Sequence, residues 1–353
     1  MKGKETKYIK IDPADPSKGA ISEAGTILRN GGLVAFPTET VYGLGANVTN
    51  SEAVAAIFKA KGRPADNPLI VHISDVSQVY DLSDDVTVPA QRVMEAFWPG
   101  PLTVVLSKKP GIPDGVTAGL STVAVRMPDH PVALELIKAA GVPLAAPSAN
   151  TSGKPSPTTA QHVLQDLTGK IDMVVDGGAC RVGLESTVLD LTSEPPVILR
   201  PGGVTRDDIE GILGRVEMEN SAGDKGSLGT PRSPGMKYTH YSPRADVVVV
   251  TGEDYTVIFE KVAELIADYR AKNQKAGVLA STETARGYCS DEVFTVGSRA
   301  RLETVAQNLF YGLRYLDEED VDVIIAEGYP ESGIGIAIMN RLKKAAGNKV
   351  IYI

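Results

Sequence analysis

A two-part α/β protein is what the 353 residues predict, on three observations. In the first half, short apolar β-prone runs alternate irregularly with helical periodicity, which fits an α/β domain with a twisted mixed sheet. From residue 245 onward strands and helices alternate regularly, which predicts a smaller Rossmann-like domain with a parallel sheet. The chain is also longer than one hydrophobic core usually fills. The expected organisation is a larger α/β domain over 1–216, a linker over 217–244 and a small α/β domain over 245–353.

Composition narrows the class. The hydrophobic share of 42% with 23% charged residues is ordinary for a globular chain. A formal charge of −8 argues against a general nucleic-acid coat, which would be basic. The two cysteines, Cys180 and Cys289, lie far apart in no metal-binding spacing, so a reduced cytoplasmic protein is expected. The basic N-terminus MKGKETKYIKID runs into no apolar segment and does not read as a signal peptide. No apolar run approaches the ~20 residues that span a bilayer, so no membrane partner is expected.

Within the first domain, 20–30 reads as a helix ended by Gly31-Gly32, and Leu33 to Phe36 as a buried strand closed by Pro37. Thr38, Glu39, Thr40 and Tyr42 then crowd oxygens together. Gly43 and Gly45 suggest a tight turn or a close approach to a ligand. Ser51 is read as the N-cap of a helix to Lys61, with Ala53, Val54, Ile57 and Phe58 on its apolar face. Lys61 and Arg63, two apart across Gly62, are either a solvated helix end or a pair of cations for a phosphate chain. Leu69 to Ile73 is another apolar run, with His72 its one polar residue. No Gly-x-x-x-x-Gly-Lys-Ser/Thr occurs, so a nucleotide site here is not a Walker loop.

Further strand ends carry polar groups. Helices are predicted over 89–97 and 131–140, and strands over 102–106, 123–127 and 142–146. Thr122 and Arg126 bracket one strand, and a buried arginine requires either an ion-pair partner or a ligand carboxylate. Ser148, Asn150, Ser152 and Ser156 follow another. Glu185 and Ser186 precede a third, and Arg200 ends a fourth. Ligands sit at strand ends in α/β sheets, so the pattern reads as a polyanion site. The four histidines show no metal spacing, and no nucleophile–base pair forms.

The linker, rich in Gly, Ser and Pro, holds Met236, Tyr238, His240 and Tyr241. At 28 residues it exceeds an ordinary connection, and it is read as a lid, with Gly235 and Pro243 as hinges. Strands are predicted over 247–250, 277–280, 293–296, 321–326 and 349–353, and helices over 255–270, 302–316 and 334–346. Gly333-Ile334-Gly335 is a partial dinucleotide fingerprint that reads better as helix-start packing.

The segments AFPTETVYGLGANV, KGRPADNPLIVHI, FWPGPLT, VAVRMPDHP, PLAAPSAN, LESTVLDL and ILRPG resemble the YrdC-like family. SPGMKYTHYSP and the C-terminal pattern resemble its long two-domain form. The resemblance implies a nucleotidyltransferase that joins L-threonine, bicarbonate or CO2, and ATP into L-threonylcarbamoyladenylate and pyrophosphate. That is the first step of tRNA threonylcarbamoyladenosine modification beside the anticodon. Lys61, Arg63, Asn67, Thr122, Ser148, Asn150, Ser156, Arg200 and Tyr238 would hold ATP, with Mg2+ brought by the nucleotide and no protein metal ligand. Thr122 suits either substrate. Thr38, His72, Arg126 and Ser186 would hold threonine, Arg126 gripping its carboxylate through two nitrogens. Tyr238, His240 and Tyr241 would form the lid. The implied partners are threonylcarbamoyl-transfer machinery and tRNA. The competing reading is a non-catalytic RNA-binding module of the same fold.

Overall fold

The computed structural model describes residues 4–16, 18–219, 241–347 and 349–353. Its contacts divide the chain into two compact units. The first comprises Met1–Ser152, Pro157–Arg181 and Glu185–Lys237; the second comprises Gly153–Ser156, Val182–Leu184 and Tyr238–Ile353.

The first unit is built on one mixed sheet. Its strands are β1 (Lys7–Lys10), β2 (Val34–Phe36), β3 (Gly43–Asn47), β4 (Ile70–His72), β5 (Leu102–Ser107), β6 (Thr122–Arg126), β7 (Leu144–Ala145), β8 (Met173–Asp176), β9 (Thr187–Asp190), β10 (Val197–Arg200) and β11 (Glu217–Met218). They lie in the order β1-β8-β2-β3-β7-β4-β6-β5-β9-β10-β11. β11 pairs in parallel with β10, so the first two residues read as linker extend the sheet. Around it run α1 (Lys18–Arg29), α2 (Ser51–Lys61), α3 (Val79–Leu82), α4 (Val88–Phe97), α5 (Asp114–Thr117), α6 (Pro131–Ala140), α7 (Ala160–Leu167) and α8 (Arg206–Leu213). Leu28 of α1 and Leu136 of α6 share a buried cluster with Phe36 and Val175. A second cluster joins Val54 and Ile57 of α2 to Leu44, Val71 and Val104.

Two local readings are corrected. The N-cap of α2 is Asn50, whose extended backbone lets its Oδ1 accept from the Glu52 and Ala53 amides; Ser51 is the first helical residue. Gly43 and Gly45 form no tight turn, because both lie in β3, antiparallel to β2. A Cβ on Gly45 would come within 2.9 Å of the Phe36 ring, so glycine is there to let that ring lie flat across the strand. The strand escapes notice because glycine has low β-propensity.

The second unit carries β12 (Asp246–Thr251), α9 (Tyr255–Ala271), β13 (Ala276–Ser281), β14 (Glu292–Gly297), α10 (Leu302–Glu318), β15 (Val323–Glu327), α11 (Gly335–Ala345) and β16 (Val350–Tyr352). The order β14-β13-β15-β12-β16 is parallel throughout. β13 and β15 are buried along their whole length, as a sheet covered on both faces requires. Gly335 opens α11 where a Cβ would meet the Pro330 carbonyl at 2.0 Å, which is packing at a helix start. Tyr241, read as part of a lid, is buried and stacks on Phe310 at 5.1 Å, so it anchors the second unit's core. Tyr238 and His240 lie outside the described residues.

Candidate active site in the first unit

Gly62 sets the geometry of the two cations. It ends α2 in the left-handed conformation, with φ 62°, so Lys61 stays on the inner face while Arg63 continues on the other side of the turn. The Lys61 ammonium is buried and donates to the Ser148 carbonyl, the Asn150 carbonyl at 2.6 Å and Asn150 Oδ1 at 3.3 Å. Ser148 Oγ donates to the same Oδ1 at 2.6 Å. Lys61, Ser148 and Asn150, distant in sequence, are thus one lattice. The Arg63 guanidinium reaches other carbonyls, those of Asn67 at 3.4 Å and Pro68 at 3.1 Å. The contacts of the two heads thus lie on different loops, 148–150 and 67–68. Asn67 is buried, and its Oδ1 has no partner.

β4 and β6 run side by side in parallel, with His72 opposite Arg126. Thr122 opens β6 and Arg126 closes it, which separates their Cα atoms by roughly 13 Å on one face. Asn67 and Thr122 accordingly lie toward the amino ends of this pair, and His72 and Arg126 at the carboxyl ends. His72 contacts the Ile70 carbonyl through Nδ1 at 3.2 Å and sits edge-on to Phe36. Burial, reinforced by the nearby Arg126 charge, pushes its imidazole down to about 3, so it is neutral at pH 7.

Arg126 is held from three sides. Nε donates to the Gly100 carbonyl at 3.2 Å, Nη1 to Thr40 Oγ1 at 2.9 Å, and Nη2 lies 2.6 Å from a Glu39 oxygen. Both side chains are almost wholly buried, at 4% and 2% exposure. The Glu39 contact is ionic in character, for among the described residues neither carboxylate oxygen makes a hydrogen bond. Thr38 joins the same network: its Oγ1 lies 2.8 Å from Thr40 Oγ1 and donates to the Val41 carbonyl. Beyond Glu39 sit Cys180 and His130. Burial, with Glu39 adding to it, pushes the Cys180 thiol up, while burial draws the His130 imidazole down against the pull of Glu39. Both are therefore uncharged at neutral pH.

Ser186 and Arg200, assigned to different substrates, touch each other. Arg200 donates through Nε and Nη2 to the Ser186 carbonyl and through Nη2 to its Oγ at 3.2 Å. Ser186 Oγ also lies 2.8 Å from Thr103 Oγ1. Ser156 is buried in the short segment that belongs to the second unit. Sequence reading quoted Glu39 but gave it no role. The signal was Arg126 itself, because a buried guanidinium demands a counter-charge.

Comparison with known proteins places this arrangement. The family model described as "Telomere recombination" matches residues 26–202. The model described as "Threonylcarbamoyl-AMP synthase, C-terminal domain" matches residues 204–347. The chain is 50% identical to a threonylcarbamoyl-AMP synthase of Bacillus subtilis, over 99% of this chain and 100% of that one. It is 51% identical to one of Pyrococcus abyssi, over 94% and 95% respectively. The solved structure of Pyrococcus abyssi Sua5 complexed with L-threonine superposes with a TM-score of 0.94 at 48% identity, covering 99% of this chain and all of that one. With both models matched and relatives aligned end to end, the chain belongs to the threonylcarbamoyl-AMP synthase family in its two-domain form.

Proposed function

We infer that the protein makes L-threonylcarbamoyladenylate from L-threonine, bicarbonate or CO2, and ATP, releasing pyrophosphate for the first step of tRNA threonylcarbamoyladenosine formation. The observation that carries this reading is the pairing of two polar clusters in one unit. The Lys61–Ser148–Asn150 lattice, with Arg63 and Asn67, suits a nucleotide. The Arg126 pocket, with Thr38, His72 and Ser186, suits an amino acid whose carboxylate lies on the guanidinium.

In the reaction the threonine amine adds to CO2 to give a carbamate. A carbamate oxygen then attacks the α-phosphorus in line, and pyrophosphate leaves. Such a transfer asks the protein chiefly for positioning and charge compensation. Lys61 contributes by fixing the Ser148–Asn150 loop. Arg63 and Arg200 supply positive charge for phosphates, and the neutral His72 adds no repulsion to an arriving ammonium. Mg2+ would travel with the ATP phosphates. Among the described residues no group of three or more His, Cys, Asp or Glu side chains is placed to hold a metal. No described helix is long and apolar enough to cross a membrane. A cytoplasmic location and hand-over to transfer machinery acting on tRNA belong to the same proposal.

The test is pyrophosphate release with threonine, bicarbonate or ATP omitted in turn, and mass detection of the adenylate. Release that requires all three supports the reading. Release indifferent to threonine, together with thermal stabilisation by duplex RNA, favours the RNA-binding module.

A further inference from the structure

We propose that Glu39 sets the charge of the amino-acid pocket to zero, so that the pocket admits its substrate as a zwitterion and rejects the matching hydroxy-acid anion. The proposal rests on the reading of Arg126 as the carboxylate-binding residue.

Glu39 is poorly explained as a structural strut. A buried carboxylate kept for stability ordinarily accepts hydrogen bonds, because desolvation otherwise exceeds the Coulombic gain. Among the described residues Glu39 accepts none and meets Arg126 as an ion pair at 2.6 Å. Arg126 does not depend on it for position, since the Gly100 carbonyl and Thr40 hydroxyl already fix Nε and Nη1. What Glu39 changes is the net charge felt by a ligand.

The other ionisable groups facing the pair leave that sum intact. His72, on the strand beside Arg126, and His130 are uncharged at neutral pH, and Cys180 stays a thiol. A carboxylate arriving alone would bring an uncompensated negative charge into a buried neutral site, which is costly. An α-amino acid brings its own ammonium, which the Glu39 field attracts at short range through a low-dielectric interior. Selection against the anion therefore requires no steric contact with Glu39.

The experiment uses the full chain and calorimetric competition between L-threonine and 3-hydroxybutanoate, which is threonine without its amino group. Glu39→Gln keeps the shape and removes the charge. It should narrow the preference for threonine at least ~tenfold, with the hydroxy acid binding more tightly than to the parent. Affinity for a non-hydrolysable ATP analogue should not change. A threonine to 3-hydroxybutanoate ratio equal to the parent's, or a parallel loss of both ligands, overturns the proposal. Arg126→Gln supplies the opposite sign and keeps the idea testable if Glu39→Gln does not fold. It leaves the site negative and should favour threoninol, an amine without a carboxylate, over threonine. An unchanged threoninol to threonine ratio counts against the proposal. Failure of the parent itself to bind threonine would defeat the functional reading instead.

Discussion

Two glutamate–arginine pairs beside hydroxyl groups, one in each unit, are built to different standards. In the second unit Glu327, at the end of β15, accepts from the Ser281 amide at 3.0 Å, from the Thr284 hydroxyl and from the Tyr288 hydroxyl at 2.6 Å. It also meets Arg299 Nη2 at 2.9 Å. Arg299 in turn lies over the Tyr329 ring at 4.8 Å. Burial pushes the Glu327 carboxyl up, but the hydroxyls of Thr284 and Tyr288, the Arg299 charge and Ser281 outweigh it and hold the group below the usual range. In the first unit Glu39 has Arg126 and, among the described residues, no hydrogen bond. A carboxylate satisfied on every side behaves as a strut; one left with idle oxygens in a pocket of polar side chains is available to a ligand's charge.

The largest effect that separates the two pairs is on stability. Glu327→Ala strands an amide, two hydroxyls and a guanidinium together, and should cost about 3–5 kcal/mol. Glu39→Gln strands no amide or hydroxyl but leaves the buried Arg126 guanidinium without its counter-charge, so it should cost less than Glu327→Ala by the stabilisation those amide and hydroxyl contacts supply. Equilibrium urea unfolding of both variants measures this. Equal losses would mean that Glu39 is as structural as Glu327.

Function should divide the arginines in the opposite direction. Lysine cannot reproduce the fork that reaches the Gly100 carbonyl and the Thr40 hydroxyl together. Arg126→Lys should therefore raise the threonine KM by about tenfold or more, with the ATP KM nearly constant. Arg299→Lys should lower stability and leave both KM values alone. Steady-state pyrophosphate release with each substrate varied gives the four numbers. If Arg126→Lys leaves the threonine KM at the parent value, Arg126 is a strut like Arg299.

How far the sequence reaches depends on whether a residue's neighbours are local. The regular second unit was legible nearly strand by strand, because strands buried on both faces write continuous apolar runs such as Val247 to Val250. β3 was not, because its glycines answer to Phe36 across the sheet. The site residues Lys61, Ser148 and Asn150 were named from motif spacing. Their bonding to one another was not, since it depends on loops 87 and 89 residues apart. Thr38 and Arg126 were likewise named without the Thr40 hydroxyl and Glu39 that join them. The stacking of Tyr241 was not legible either, because an aromatic in a polar linker gives no sign that Phe310 awaits it.

The smallest effect concerns pH, and it sharpens the contrast because the neutrality of the first pocket depends on His72. Its imidazole ordinarily titrates at 6.5 and is pushed to about 3 in the folded chain. Between those values the unfolded chain binds the extra proton and the folded chain does not. Stability from this group is thus fully present above about 6.5 and is lost as pH falls toward about 3, at up to ~1.4 kcal/mol per pH unit. His130, also drawn down by burial, adds a slope of the same sign, so the parent curve alone does not isolate His72. A His72→Phe variant keeps a ring beside Phe36 and removes the proton site. The chain's single tryptophan, Trp98, lies in the first unit's buried cluster and reports unfolding there by fluorescence. Urea midpoints for parent and variant at pH 7, 6, 5 and 4 should diverge least at pH 6 to 7. Below that the parent should lose stability faster, by a fraction of the limiting slope at first and close to it by pH 5 to 4. Parallel curves across the whole range would place the His72 imidazole in ordinary titration, and with it an added positive charge in the pocket at mildly acidic pH.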